Sequence, residues 1–178
     1  MLTDVEWTWT EKIDGTNIRI MFDGAAVKFG GKTDNAQIPA DLIMRLIELF
    51  PVLKFINVGF VDPVCLYGEG FGAGIQKTGK LYGLKKDFIL FDVVIGETFL
   101  YRQDVENIAT KLGISIVPVL FRGGILEAAA QVKSGVKSFF GDFIAEGLVG
   151  RPKVELQTKF GKSIITKIKT RDFTGGKE

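Results

Sequence analysis

Residues 11–17, Glu-Lys-Ile-Asp-Gly-Thr-Asn, set one lysine between two strand-like runs, where it could act as a nucleophile. Lys12 closes an alternating run over residues 5–10. Asp14 and Gly15 break the pattern, and a second run over residues 18–22 follows. An amine held at a strand end beside a tight turn can be aimed and partly desolvated. Desolvation or a neighbouring positive charge favours the neutral amine, the form that attacks an electrophile. The same residues also fit an ordinary hairpin turn carrying a solvent-facing lysine.

Four further segments put polar groups into strand-like runs. Tyr67-Gly68-Glu69-Gly70 stands a carboxylate between glycines at a strand end. In residues 88–93, Phe91 and Asp92 face opposite ways on a period of two, offering an aromatic platform on one side and an anion on the other. Glu146 enters a strand at Glu146-Gly147. In residues 164–170, Lys167 and Lys169 share a face, an arrangement that repels unless an anion such as a phosphate lies between them. Each segment alone also fits a plainer role: an edge-strand carboxylate, a core phenylalanine or a solvated lysine face. Asp92 is the exception, since a carboxylate inside an apolar strand needs a partner.

The elements that must hold these groups are mostly strands. Strands are predicted over residues 5–10, 18–22, 25–29, 61–67, 88–95, 114–120, 144–149 and 164–170, with Asp23-Gly24 as a hairpin turn. Helical spacing predicts helices over 40–50 (bracketed by Pro39 and Pro51), 102–112 (closed by Gly113) and 125–132 (stopped near Gly135). Residues 30–35 read as a loop and 174–178 as a frayed tail. No repeat, low-complexity segment or linker interrupts the chain. Irregularly mixed strands and helices indicate an α+β fold with mostly antiparallel sheets flanked by helices, in one domain over residues 1–178.

Composition narrows the chemistry. The chain has 178 residues, 46% hydrophobic and 25% charged, enough to bury a sizeable core. A net charge of +2 and a pI near 8.6 permit a polyanionic partner without requiring one. There is no histidine, which excludes histidine acid–base catalysis, and the single Cys65 with carboxylates does not make the usual zinc ligand set. One cysteine also excludes an internal disulfide framework. With no signal-peptide pattern and no apolar stretch near the ~20 residues a bilayer requires, the expected setting is cytoplasmic, away from membranes.

Taken in order, these segments resemble the covalent nucleotidyltransferase superfamily of DNA ligases, RNA ligases and capping enzymes. Lys12-Ile13-Asp14-Gly15 is similar to its motif I, Glu69 to motif III, Phe91-Asp92 to motif IIIa, Glu146-Gly147 to motif IV and Lys167-Ile168-Lys169 to motif V. The resemblance runs from about residue 9 to 173. Asn17, and Tyr67-Gly68-Glu69 followed by residues 72–77, resemble the RNA-ligase-2-like branch. Asp14 stands where well-known members of that branch have histidine, and Lys32 where an arginine is usual.

The resemblance implies an ATP-grasp-like ligase adenylation fold and three phosphoryl transfers: AMP from ATP to Lys12, from Lys12 to a 5′-phosphate end, and release of AMP as a 3′-hydroxyl seals to that end. It implies Lys12, Lys167 and Lys169 as catalytic residues. ATP contacts would come from Glu11, Lys12, Asn17, Lys32, Glu69 (ribose), Phe91 (adenine), Glu146, Lys167 and Lys169. Glu146, then Asp14, would hold Mg²⁺ or Mn²⁺, through water. The partner implied is nucleic acid with 3′-hydroxyl and 5′-phosphate ends, RNA favoured. The alternatives are a minimal ATP-dependent DNA ligase and an end-binding module without turnover. Relatives often carry a further carboxyl-terminal domain, and none is expected in the nine residues after Lys169. Either the core seals unaided or a partner protein supplies end-binding surface.

Overall fold

A computed structural model of the protein describes residues 5–154, 156, 159 and 163–173. The chain divides into two compact units: a central unit, Gly15–Val117, and a flanking unit made from the segments before and after it.

The flanking unit is built on a four-stranded sheet. Its strands are β1 (Trp7–Glu11), β7 (Val119–Gly123), β8 (Gly147–Pro152) and β9 (Thr166–Lys169), in the order β7-β1-β8-β9 with every pair antiparallel. Alternation in β1 buries Trp7, Trp9 and Glu11 on one face. The two indoles stack, with ring centroids 5.8 Å apart, and pack with Leu148 against Ala128 and Val132 of helix α5 (Ile125–Ser134). The Trp9 indole N–H donates to the Gly123 carbonyl at 3.1 Å, which satisfies the polar end of a fully buried ring.

The central unit carries a five-stranded antiparallel sheet. Its strands are β2 (Thr16–Phe22), β3 (Val27–Gly30), β4 (Val64–Phe71), β5 (Asp87–Ile95) and β6 (Thr98–Phe99), in the order β3-β2-β4-β5-β6. Helices α1 (Ala40–Leu49), α2 (Val52–Val58) and α4 (Arg102–Leu112), with the short α3 (Gly79–Tyr82), complete it. Ile18, Ile20 and Phe22 of β2 meet Leu42 and Leu46 of α1 and Val105 and Ile108 of α4 in one core. Among the described residues, no helix is long and apolar enough to cross a membrane.

The α+β reading with antiparallel sheets holds, and α1, α4 and α5 fall where spacing placed helices. Four local readings change. First, β1 and β2 do not form a hairpin: β1 pairs with β7 and β8, while β2 pairs with β3 and β4, so residues 12–15 cross from one sheet to the other. Second, β4 starts at Val64 and runs on through Gly68-Glu69-Gly70 instead of stopping at Tyr67. The Gly68 is required by packing, because a Cβ there would stand 2.1 Å from the Phe88 ring and 2.4 Å from the Ile89 carbonyl. Third, the run 114–120 splits at Pro118. Ser115 and Val117 bond Leu90 of the central unit, and Val119 opens β7 of the flanking one. Fourth, β8 begins at Gly147 because residues 143–145 bond back to 136–138, with Ala145 N on the Val136 carbonyl at 2.8 Å. Helix α2 was not anticipated; Pro51 starts it and Gly59, at φ 80°, ends it. The expected tail over 174–178 lies outside the described residues.

Candidate active site

The nucleophile's setting in the flanking unit follows from strand register. Pairing of β1 with β8 sets Glu11 opposite Leu148, and one step further the Lys12 amide donates to the Gly147 carbonyl at 2.9 Å. Residues 134 positions apart thereby become neighbours, and the Lys12 ammonium forms an ion pair with the Glu146 carboxylate. Their side chains keep 20% and 23% of their surface in solvent, so the pair is sheltered but reachable.

Glu146 is itself held on both sides. Its carbonyl accepts from Thr170 N at 2.9 Å, and the preceding Ala145 carbonyl accepts from the Thr170 hydroxyl at 2.9 Å. Gly147 has φ 154°, and a Cβ there would lie 2.0 Å from the Ile168 carbonyl, so glycine alone lets β8 and β9 close at this point. Closure places Lys169 opposite Gly147 and Lys167 opposite Val149. Lys12, Glu146 and the two lysines of β9 thus lie around one corner of the sheet. Lys167 is exposed and Lys169 partly buried.

Glu11 is only 2% exposed, and its carboxylate is already engaged. It accepts from the Ser138 hydroxyl at 2.6 Å and from Phe139 N at 2.8 Å. Burial pushes this carboxyl group up from its ordinary range, and the two hydrogen bonds pull the other way. What Glu11 can present to a nucleotide is therefore its main chain. The sequence carried no sign of this anchor, since Ser138 lies 127 residues away.

The central unit carries the other candidates. Asn17 of β2 sits directly opposite Glu69 of β4. The β4–β5 register slips between Tyr67, which faces Asp92, and Gly68, which faces Leu90, leaving Phe91 as the extra residue of a bulge. A bulge re-aims its side chain, which is how Phe91 stays partly exposed while Asp92 is 7% exposed. Lys32 is exposed on the loop after β3, where the Arg19 guanidinium donates to the Gly31 carbonyl at 2.8 Å and to the Asp34 carboxylate at 2.6 Å. Arg19 and Gln76, whose amide donates to the Gly15 carbonyl at 3.0 Å, are supporting residues that sequence spacing did not reveal.

Asp14 is partly buried at the crossing between the sheets. Among the described residues, no three Asp, Glu or Cys side chains converge as metal ligands. Glu146 and Asp14 carry the oxygen donors that hard divalent ions take, and such ions bind through one or two carboxylates while keeping much of their water.

A family model described as RNA ligase matches residues 5–169. Curated proteins give no match. Solved structures of similar fold include a Naegleria gruberi RNA ligase lysine-to-alanine mutant with ATP and Mn, at TM-score 0.76 and 17% identity over 97% of this chain and 52% of that one. Another is the same organism's RNA ligase with PPi, at TM-score 0.72 and 21% identity over 95% and 50%. A lysine-to-methionine mutant with AMP and Mn gives TM-score 0.74 and 17% identity over 96% and 51%. The chain thus spans about half the length of these proteins, and at such identity the likeness establishes the shared fold. The family match covers nearly everything from the first strand to the second lysine of β9, and on it the chain belongs to the RNA ligase family.

Proposed function

We propose that this chain is the adenylylating core of an ATP-dependent RNA ligase, with Lys12 as the nucleophile. The observation that carries the reading is the position of Lys12: at the end of β1, backbone-bonded to Gly147 and ion-paired with Glu146. An ammonium cannot attack, so Lys12 must first surrender a proton, and the Glu146 carboxylate is in contact to take it. The neutral Nζ then forms a bond to the α-phosphorus of ATP as the bond from that phosphorus to the bridging oxygen breaks and pyrophosphate leaves.

Lys167 and Lys169 would balance charge developing on the α-phosphate. Glu69 would hold the ribose hydroxyls and Phe91 would stack on adenine. Asn17 and Lys32 would contact the nucleotide, and the Glu11 main chain would border it. When a divalent ion accompanies the phosphates, Glu146 and then Asp14 would hold it through water, and it would supply charge neutralisation.

In the second transfer, an oxygen of a 5′-phosphate end attacks the adenylyl phosphorus and Lys12 leaves. In the third, a 3′-hydroxyl attacks the activated 5′-phosphate, AMP departs and the strands are joined. RNA is the favoured substrate on family membership.

Incubation with labelled ATP and Mg²⁺, followed by denaturing electrophoresis, tests the first transfer. Covalent label on the wild type and none on Lys12→Ala is expected; label that survives the substitution refutes the assignment. Sealing of nicked duplexes with RNA or DNA at the 3′-hydroxyl side then separates the RNA from the DNA reading.

A further inference from the structure

A basic segment of the central unit has no part in the nucleotide chemistry above. Between Glu69 and Asp87 the chain carries Lys77, Lys80, Lys85 and Lys86 and no acidic residue. Lys86 is tied to Asp41 of α1, whereas among the described residues no carboxylate reaches Lys77, Lys80 or Lys85, all exposed. Asp87, the nearest acid in sequence, is engaged by Arg45 at 3.0 Å. Three exposed cations without a carboxylate partner therefore fall within residues 77–85.

The segment is built rather than loose. Ala73 N bonds the Gly83 carbonyl at 2.9 Å, Gly79 N bonds the Gln76 carbonyl at 3.0 Å, and Phe71 packs edge-on against Tyr82 with centroids 6.4 Å apart. The Gln76 amide fixes it to Gly15, three residues past Lys12 in the sequence. The surface that carries the lysines is thus tied to the turn that follows the nucleophile. The rings of Phe71 and Tyr82 are buried, 8% and 7% exposed, so the segment offers no platform for base stacking. Leu81 and Leu84, exposed to 52% and 83%, offer only aliphatic surface.

We propose that Lys77, Lys80 and Lys85 form the docking surface for the sugar–phosphate backbone of the nucleic-acid substrate, read without regard to sequence. The inference rests on the ligase reading. Its chemistry is charge: three ammonium groups with no internal partner displace counterions from a polyanion, and no residue of the segment can recognise a base by stacking. Such a surface serves the second and third transfers, which use a polynucleotide, and not the first, which uses ATP alone.

The test uses the full chain with Lys77, Lys80 and Lys85 changed together to alanine, and in a second variant to arginine. Binding of a nicked RNA duplex is followed by fluorescence anisotropy in EDTA across a salt series. The alanine variant should bind about tenfold or more weakly near physiological salt. Its log–log salt slope should be shallower by up to about 2–3 units, roughly 0.7–0.9 per lost phosphate contact, and the arginine variant should restore both. Label on Lys12 from ATP should stay within about twofold of the wild type, which also shows that the variant folds.

Unchanged affinity and slope in the alanine variant would overturn the proposal. So would loss of ATP labelling in that variant alone, which would assign the lysines to the nucleotide. Unchanged RNA binding with lost binding of poly-glutamate would overturn it in favour of an acidic protein partner. Failure of the wild type to label would strike the ligase reading instead, and the anisotropy series would still decide the surface.

Discussion

Glu11→Ala should destabilise the flanking unit by about 2–4 kcal/mol, while Glu11→Gln should cost under about 1 kcal/mol. The native carboxylate accepts from the Ser138 hydroxyl at 2.6 Å and Phe139 N at 2.8 Å in a nearly solvent-free position. Hydrogen bonds to a charged group contribute about 1.5–3 kcal/mol each, and truncation leaves a buried donor with nothing to meet. Against this stands the charge's own desolvation, which brings the sum down. Glutamine keeps the geometry: its carbonyl can accept from Phe139 N, and its NH₂ can donate to Ser138, whose hydroxyl oxygen has acceptor capacity.

The sign with pH follows from the raised carboxyl group. Stability from Glu11 is fully present below its unfolded value of 4.5 and is lost as pH rises through the higher folded value. The glutamine variant has no such loss, so it should gain on the wild type across the range just above pH 4.5. Both tryptophans of the chain, Trp7 and Trp9, lie in the core of the flanking unit, so their fluorescence during denaturant unfolding reports on this unit. Covalent labelling of Lys12 should fall about tenfold in the alanine variant and recover in the glutamine one, because misplacing the anchor moves the end of β1. An alanine variant within about 0.5 kcal/mol of the wild type, or a glutamine variant as unstable as alanine, would refute the reasoning.

Other outcomes follow from the same corner. Glu146→Gln removes the carboxylate on Lys12 and should slow adenylylation about 10- to 100-fold, with more divalent ion needed for half-maximal rate, measured by pre-steady-state labelling. Lys167→Ala and Lys169→Ala should each lower the adenylylation rate about 10²- to 10³-fold with little change in unfolding midpoint, since their charge acts on the phosphate. Gly147→Ala forces a Cβ against the Ile168 carbonyl and should destabilise by about 2–4 kcal/mol, with labelling lost as β9 moves, read by unfolding and gel assay together.

Much of the architecture was readable locally. The helical spacing of residues 40–50 and 102–112 marked α1 and α4, because a one-sided apolar stripe is a property of consecutive residues. The alternation in residues 18–22 marked β2 for the same reason. Glycines misled where they served packing: Gly68 looked like a strand end, but it makes room for Phe88 inside β4. Pro118 looked like part of a strand and proved to be where the chain leaves one unit for the other. Phe91 looked like a regular strand position, and only the register against β4 shows the bulge.

The sequence by itself determined the residue types that could do the chemistry, their order along the chain and the α+β class. Those features depend on side-chain chemistry and short-range periodicity. Tertiary structure alone decided that Lys12 meets Glu146, that Glu11 turns inward to Ser138 and Phe139, and that Gln76 braces Gly15. These contacts join residues far apart in the chain: the pairing of β1 with β8 brings Lys12 to Glu146, and the packing of loops outside the strands makes the other two.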